Sequence, residues 1–222
     1  MQPQPLAAAA VSTQPQQTDA TPSIELTFAR PGLPIPRFTL TIRQTGLGQY
    51  RGEQIEPTAP PDPQALPQPF DTTFAISPAT TAKIFTLASH LNHFNIPCAS
   101  PMKNIAATGA KTLRYLSSDG TDTSCTFDYS DNKDVEALTN ILCAIAETMD
   151  QGRRLDFLHR YDRLGLDAAI AALANAASEQ RALELATIAP SLRSIADDAE
   201  VMQRVRVRAT KLLASIPPDA PQ

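Results

Sequence analysis

The chain has 222 residues, 42% of them hydrophobic, enough for one good-sized domain or two small ones. Nineteen basic against 23 acidic side chains leave a net charge of −4, aromatics make up 5%, and Trp is absent. That balance argues against phosphate neutralisation or base stacking, hence against a nucleic-acid partner. No run reaches the ~18 consecutive apolar residues of a transmembrane helix, so no transmembrane segment is expected.

Sixteen of the 20 prolines precede residue 102, one is Pro190, and three fall in the last six residues. Proline removes a backbone donor and blocks helix interiors, so the first half should be extended and turn-rich and the second half helical. Residues 1–22, built of Gln, Pro, Ala and Thr without periodicity, should form a disordered tail. Within it Leu6–Ser12 has the small-residue character of the end of a secretion signal, without the basic start and full apolar stretch that precede one.

Ile24, Leu26 and Phe28 alternate with polar neighbours, as do Phe38, Leu40 and Ile42. This is the period of a half-buried strand. With Tyr50–Ile55 they predict an antiparallel meander, Gly46 and Gly48 serving as turn residues; their spacing to Gly52 matches no nucleotide-binding fingerprint. Residues 56–69 carry six prolines and predict a long extended loop leading into a fourth strand, Phe70–Ile76.

Ser77 and Pro78 form an N-cap followed by a first-turn proline, and Ile84, Leu87, Ala88, Leu91 and Phe94 fall three and four apart. A helix over 78–94 is expected. Lys111–Ser117 and Thr123–Tyr129 then predict a hairpin. An apolar face requires Leu113 opposite Phe127 and Tyr115 opposite Cys125, with a loop of three or five residues in which Gly120 takes a positive φ.

Ser130, Asp131 and Asn132 offer N-caps for a long amphipathic helix through Met149, which Gly152 could end or bend. A helical pattern resumes over 153–164 and Gly165 reads as its C-cap. Asp167 then caps an Ala-rich helix, 168–177. Further helices are expected over 179–189, from Pro190, and over 199–215. The expected fold is α+β: a mostly antiparallel sheet with two packed helices over 23–151, an all-helical subdomain over 152–216, and a disordered end at 217–222.

Candidate chemistry is sparse. His90 and His93, three apart, could share a helix face and a metal, but no acidic neighbour completes the shell, and hydrogen-bonded histidines are the expectation. The alternate oxygen-bearing residues from Asp128 to Glu136 fail as a calcium loop, with Lys133 where Gly and Thr139 where Glu would be needed. The densest charged segment holds Arg153, Arg154, His159, Arg160 and Arg163. It could grip a carboxylate or phosphate, or simply pair with local acids and brace the two halves. No catalytic motif occurs, and no cofactor is expected. Of three cysteines, Cys143 sits on the apolar side of the long helix. Cys98 and Cys125 make the better pair in an oxidising compartment, closing a ring that would add about 3.6 kcal/mol by chain entropy.

Residues 108–115, 124–129 and 152–167 resemble those of a group of bacterial proteins made with a secretion signal and having no assigned activity; the resemblance covers 24–215. It implies a bacterial, extracytoplasmic setting, periplasmic or secreted if the start is truncated and cytoplasmic otherwise. The function expected is a non-catalytic binding or structural accessory protein of the bacterial envelope, working through a surface where sheet and helices meet. The alternative is an enzyme or small-anion-binding protein using 153–163. A concave pocket of arginines would favour the second, a salt-bridged face the first.

Overall fold

The computed structural model describes residues 21–55, 66–102, 108–218 and 220–221. Residues 1–20 of the expected tail and 56–65 of the Pro-rich loop lie outside them. The architecture is α+β. Six strands, β1 (Ser23–Ala29), β2 (Arg37–Arg43), β3 (Leu47–Gln54), β4 (Gln68–Ala75), β5 (Ala110–Leu116) and β6 (Asp122–Phe127), form one antiparallel sheet in the order β4-β3-β2-β1-β5-β6. The predicted three-strand meander is β1 to β3, and β4 extends it by pairing with β3. The chain then crosses through a helix and returns beside β1, which turns the first strand into an interior one.

Alternation decides which face is buried. Ile24, Leu26, Leu40, Ile42, Tyr50 and Leu113 are fully buried beneath the helices. The opposite face carries a cross-strand row of threonines, 126, 112, 27 and 39, and the ion pairs Arg51–Asp71 and Arg114–Asp122. A face so polar can stay in water, so a single layer of helices suffices. Gly48, expected in a turn, instead lies within β3. A Cβ there would stand 2.4 Å from the Phe74 ring, and one on Gly52 2.5 Å from the Phe70 ring, so these glycines make room for the aromatics of β4.

The β5–β6 loop has five residues, one of the two lengths expected, and Gly120 has φ +87°. Its register is slipped from expectation: Leu113 faces Cys125, and Tyr115 faces Thr123. The slip still buries Leu113, Cys125 and Phe127 on one face, which is what burial demands; the named partners carried no further constraint.

α1 (Pro78–His90) starts at the predicted N-cap, Ser77. It stops four residues short of the expected end. Asn92, His93 and Phe94 take left-handed φ values of 47°, 51° and 68°, a turn that drives Phe94 into the core. α2 (Lys133–Tyr161) starts on Asn132, whose side chain accepts from the N–H groups of Asp134 and Val135. It runs for 29 residues through Gly152 without a break. Gly152 is there for close approach: a Cβ would meet Ile188 Cγ2 at 2.3 Å.

The remaining helices are α3 (Leu166–Ser178), α4 (Ala189–Asp197) and α5 (Gln203–Ala214). Gly165, expected as a C-cap, has right-handed φ/ψ and precedes α3 directly. Asp167 does not cap α3; its carboxylate pairs with Arg204 and Arg208 of α5. The helix expected over 179–189 is a reversal with left-handed residues at Gln180 and Glu184, followed by a short 3-10 turn, Leu185–Ile188. Its first N–H groups turn back to the end of α3, and Leu183 ties it to α2: Leu183 N–H donates to Ala144 O, and Thr148 Oγ1 donates to Leu183 O. The last helix begins at Gln203, four residues later than expected.

Two hydrophobic cores result. One unites the inner sheet face with α1 and α2 as far as Met149. The other unites Leu155 and Leu158 of α2 with α3, α4 and α5. α2 is the spine common to both.

Candidate functional site

The charged segment 153–163 spans the last ~2.5 turns of α2, where the helix passes beyond the sheet, and the two residues after it. Cys143, Ala146, Asp150 and Arg153 fall three and four apart, on the stripe that faces the sheet. Tyr50, fully buried in β3, donates from its hydroxyl to Asp150 Oδ1 at 2.9 Å. Arg153 stacks 3.6 Å from the Phe70 ring centroid and donates from Nη2 to Gln54 Oε1 at the end of β3. Its other terminal nitrogen is 4.0 Å from Asp150. Burial pushes the Asp150 carboxyl up to about 7, against the opposing pulls of Tyr50 and Arg153. Burial likewise raises Tyr50 and lowers Arg153. Arg153 thus clamps α2 to the β3–β4 end of the sheet.

His159 and Arg163 face the other way. His159 Nε2 lies 2.8 Å from Asp198 Oδ2, which Arg163 also reaches at 3.2 Å; Arg163 bonds Glu200 as well. The hydrogen bond from His159, the Glu200 N–H and the Arg163 charge hold the Asp198 carboxyl below the usual range. Ser194 Oγ is 3.4 Å from His159 Nδ1, completing a Ser-His-Asp line. Its chemistry is limited by its setting. Ser194 is exposed inside α4, where the backbone N–H groups that could steady an oxyanion are committed to the helix. The line ties α4 and the loop after it to the end of α2.

Arg154 and Arg160 are exposed, and neither makes an ion pair among the described residues. Between them stand Phe157 and Tyr161, 51% and 74% exposed, with ring centroids 5.1 Å apart. Leu164, just past the helix, is 83% exposed. Phe157 and Tyr161 continue the stripe of Cys143, Ala146, Asp150 and Arg153. At ~1.5 Å per residue they lie about 6 and 12 Å beyond Arg153 along the axis, past the ends of β3 and β4. Among the described residues, the face that the sheet covers in the first half of α2 is therefore uncovered in the second. At ~100° per residue Arg154 and Arg160 flank Phe157 by about 60° on either side, whereas Asp156 stands about 100° away. The bare face is aromatic at its centre and cationic at its margins.

His90 ends α1, with Nδ1 3.6 Å from Asp134, while His93 lies in the left-handed turn and packs on Tyr115 at 4.3 Å between centroids. The two do not share a helix face. No group of three or more His, Cys, Asp or Glu side chains among the described residues is placed to hold a metal. Cys98 and Cys125 stand at disulfide-bonding distance, with Cα atoms 5.8 Å apart. Cys143 is the free thiol, and burial pushes it up to about 11, well away from a reactive thiolate.

Sequence reasoning missed the partnership of Tyr50 and Asp150, 100 residues apart. A signal was present: Asp150 falls on an otherwise apolar helical stripe, and Tyr50 on the buried face of a strand. It also did not single out Phe157 and Tyr161, whose exposure depends on where the sheet ends. No helix among the described residues is long and apolar enough to cross a membrane. No protein-family model matches the chain, and no curated protein matches it either.

Proposed function

We propose that this protein is a non-catalytic binding protein that holds a partner protein on the free end of α2. Its setting is an oxidising compartment, the bacterial envelope being the one that the sequence resemblance implies. The overhang carries this reading: Phe157, Tyr161 and Leu164 remain 51%, 74% and 83% exposed on the continuation of a stripe that is elsewhere covered. Aromatic and arginine side chains dominate the energetics of protein interfaces, because they bury large areas at modest entropic cost. The complementary partner segment places apolar residues on Phe157 and Tyr161 and carboxylates beside Arg154 and Arg160. The Cys98–Cys125 pair supports the compartment, since structural disulfides persist where the environment is oxidising.

A small-anion site over 153–163 draws less support. Arg153 is committed to Gln54 and Phe70, and Arg163 to Asp198 and Glu200, so these guanidinium groups point at different neighbours rather than at one ligand.

The test is fluorescence anisotropy with three labelled peptides, alternating Leu-Glu, Leu-Lys and Leu-Ser. The Leu-Glu peptide should bind, with at least tenfold preference over the other two. Phe157→Ala with Tyr161→Ala should abolish binding, and Arg154→Glu with Arg160→Glu should transfer the preference to Leu-Lys. Equal affinity for all three peptides, or binding indifferent to these exposed substitutions, would contradict the proposal.

A further inference from the structure

Apart from the overhang, where the two cores meet, lies a cleft of about 640 Å³. This is within the ~300–1,000 Å³ typical of small-molecule pockets, and a junction between cores is a common place for one. Its walls come from the end of α3, the reversal at 182–186, the last turn of α5 and the chain after it. Ala177, Leu185, Leu212 and Ile216 make them mainly apolar. The small alanines leave the space, and none of these four side chains can satisfy a polar ligand atom.

The polar groups at the rim divide by sign. Glu184 is fully engaged: its carboxylate accepts from Ser77 N–H at 2.9 Å, from Ser77 Oγ at 2.8 Å and from Thr80 Oγ1. The carboxylate of the cleft is thus turned to the start of α1, where hydrogen bonds and the helix N-terminus satisfy it. Arg208 is held by Asp167. Lys211, exposed at the rim, makes no ion pair among the described residues. An apolar floor with, among the described residues, one ammonium outside any ion pair at its edge selects a ligand with the inverse pattern.

We infer that this cleft binds a single-chain amphiphile with an anionic head, a medium-chain carboxylate, its alkyl chain laid against Ala177, Leu185, Leu212 and Ile216 and its carboxylate at Lys211. A neutral alcohol of equal length gains the apolar contact alone, and an alkylammonium meets Lys211 as a like charge. The inference is independent of the overhang, which shares no residue with the cleft.

The experiment is calorimetric titration of the full chain with decanoate, decanol and decyltrimethylammonium, each below its micellar concentration. Decanoate should bind saturably at one site per chain, at least tenfold more tightly than decyltrimethylammonium, with decanol between them. Lys211→Glu, at an exposed position that leaves the fold intact, should weaken decanoate at least tenfold, and Lys211→Arg should restore most of the affinity. Ala177→Phe, which fills the floor, should abolish binding; its melting curve establishes that it is folded. Absence of saturable decanoate binding at millimolar concentration, or equal affinity in the wild type and Lys211→Glu, would overturn the inference.

Discussion

Glu184→Gln should loosen the junction between the two cores by about 2 kcal/mol. The Glu184 carboxylate takes three hydrogen bonds from Ser77 and Thr80, over 100 residues away in sequence, at the first turn of α1. Hydrogen bonds to a charged group contribute ~1.5–3 kcal/mol against ~0.5–1.5 for neutral pairs, and a negative charge at a helix N-terminus adds ~0.3–1 kcal/mol. Gln keeps the length and the left-handed backbone cost but loses the charge, and it presents an amide N–H₂ to donors that need an acceptor. Urea unfolding followed by circular dichroism measures the loss. Ser77→Ala alone should cost about 1.5 kcal/mol, with its N-cap gone as well. The double variant should be less destabilised than the sum of the two by about 1 kcal/mol, since both break one network. Strict additivity, or Glu184→Gln within ~0.5 kcal/mol of the wild type, would refute the reasoning.

Non-reduced, unfolded protein should show one reactive thiol per chain, Cys143, rising to three on reduction, and reduction should cost about 3.6 kcal/mol of stability. Because burial raises Asp150 from 3.8 to about 7, the folded state binds the proton more tightly than the unfolded one. Its contribution is therefore complete below pH 4 and is lost as pH rises towards 7. At ~1.36 kcal/mol per pH unit, reduced by partial solvation, the loss is about 2 kcal/mol, and the slope of stability over this range should flatten in Asp150→Asn. Gln180, with φ 58°, holds the left-handed position after α3, where Arg181 N–H reaches Ala176 O and its own N–H reaches Ala177 O. Gln180→Gly should thus stabilise by ~0.5–1 kcal/mol in thermal unfolding.

Strands proved legible because their period of two is tied to burial, and β1 and β2 have the expected alternation of buried and open residues. The caps at Ser77 and Asn132 are local chemistry and were equally legible. What escaped was set by contacts distant in sequence. Gly152 looks like a helix breaker until Ile188 is placed against it. Residues 179–189 have helical composition, but Arg181 and Ala182 turn back to Ala176 O, Leu183 bonds to α2, and the left-handed Glu184 is engaged with Ser77. The charged segment is plain in the sequence, yet one helix sends its side chains in three directions. Spacing along the chain showed which residues share a turn and gave no hint of where the sheet ends, which decides that Arg153 clamps and Phe157 stands free.

The most direct measurement is a titration of isotopically labelled protein with the Leu-Glu peptide, followed by amide chemical shifts. Shifts should concentrate on residues 153–164, with the outer sheet face and α5 unmoved. Shifts centred on the outer sheet face or on α5, or no change at any peptide concentration, would contradict the assignment of the overhang of α2 as the binding surface.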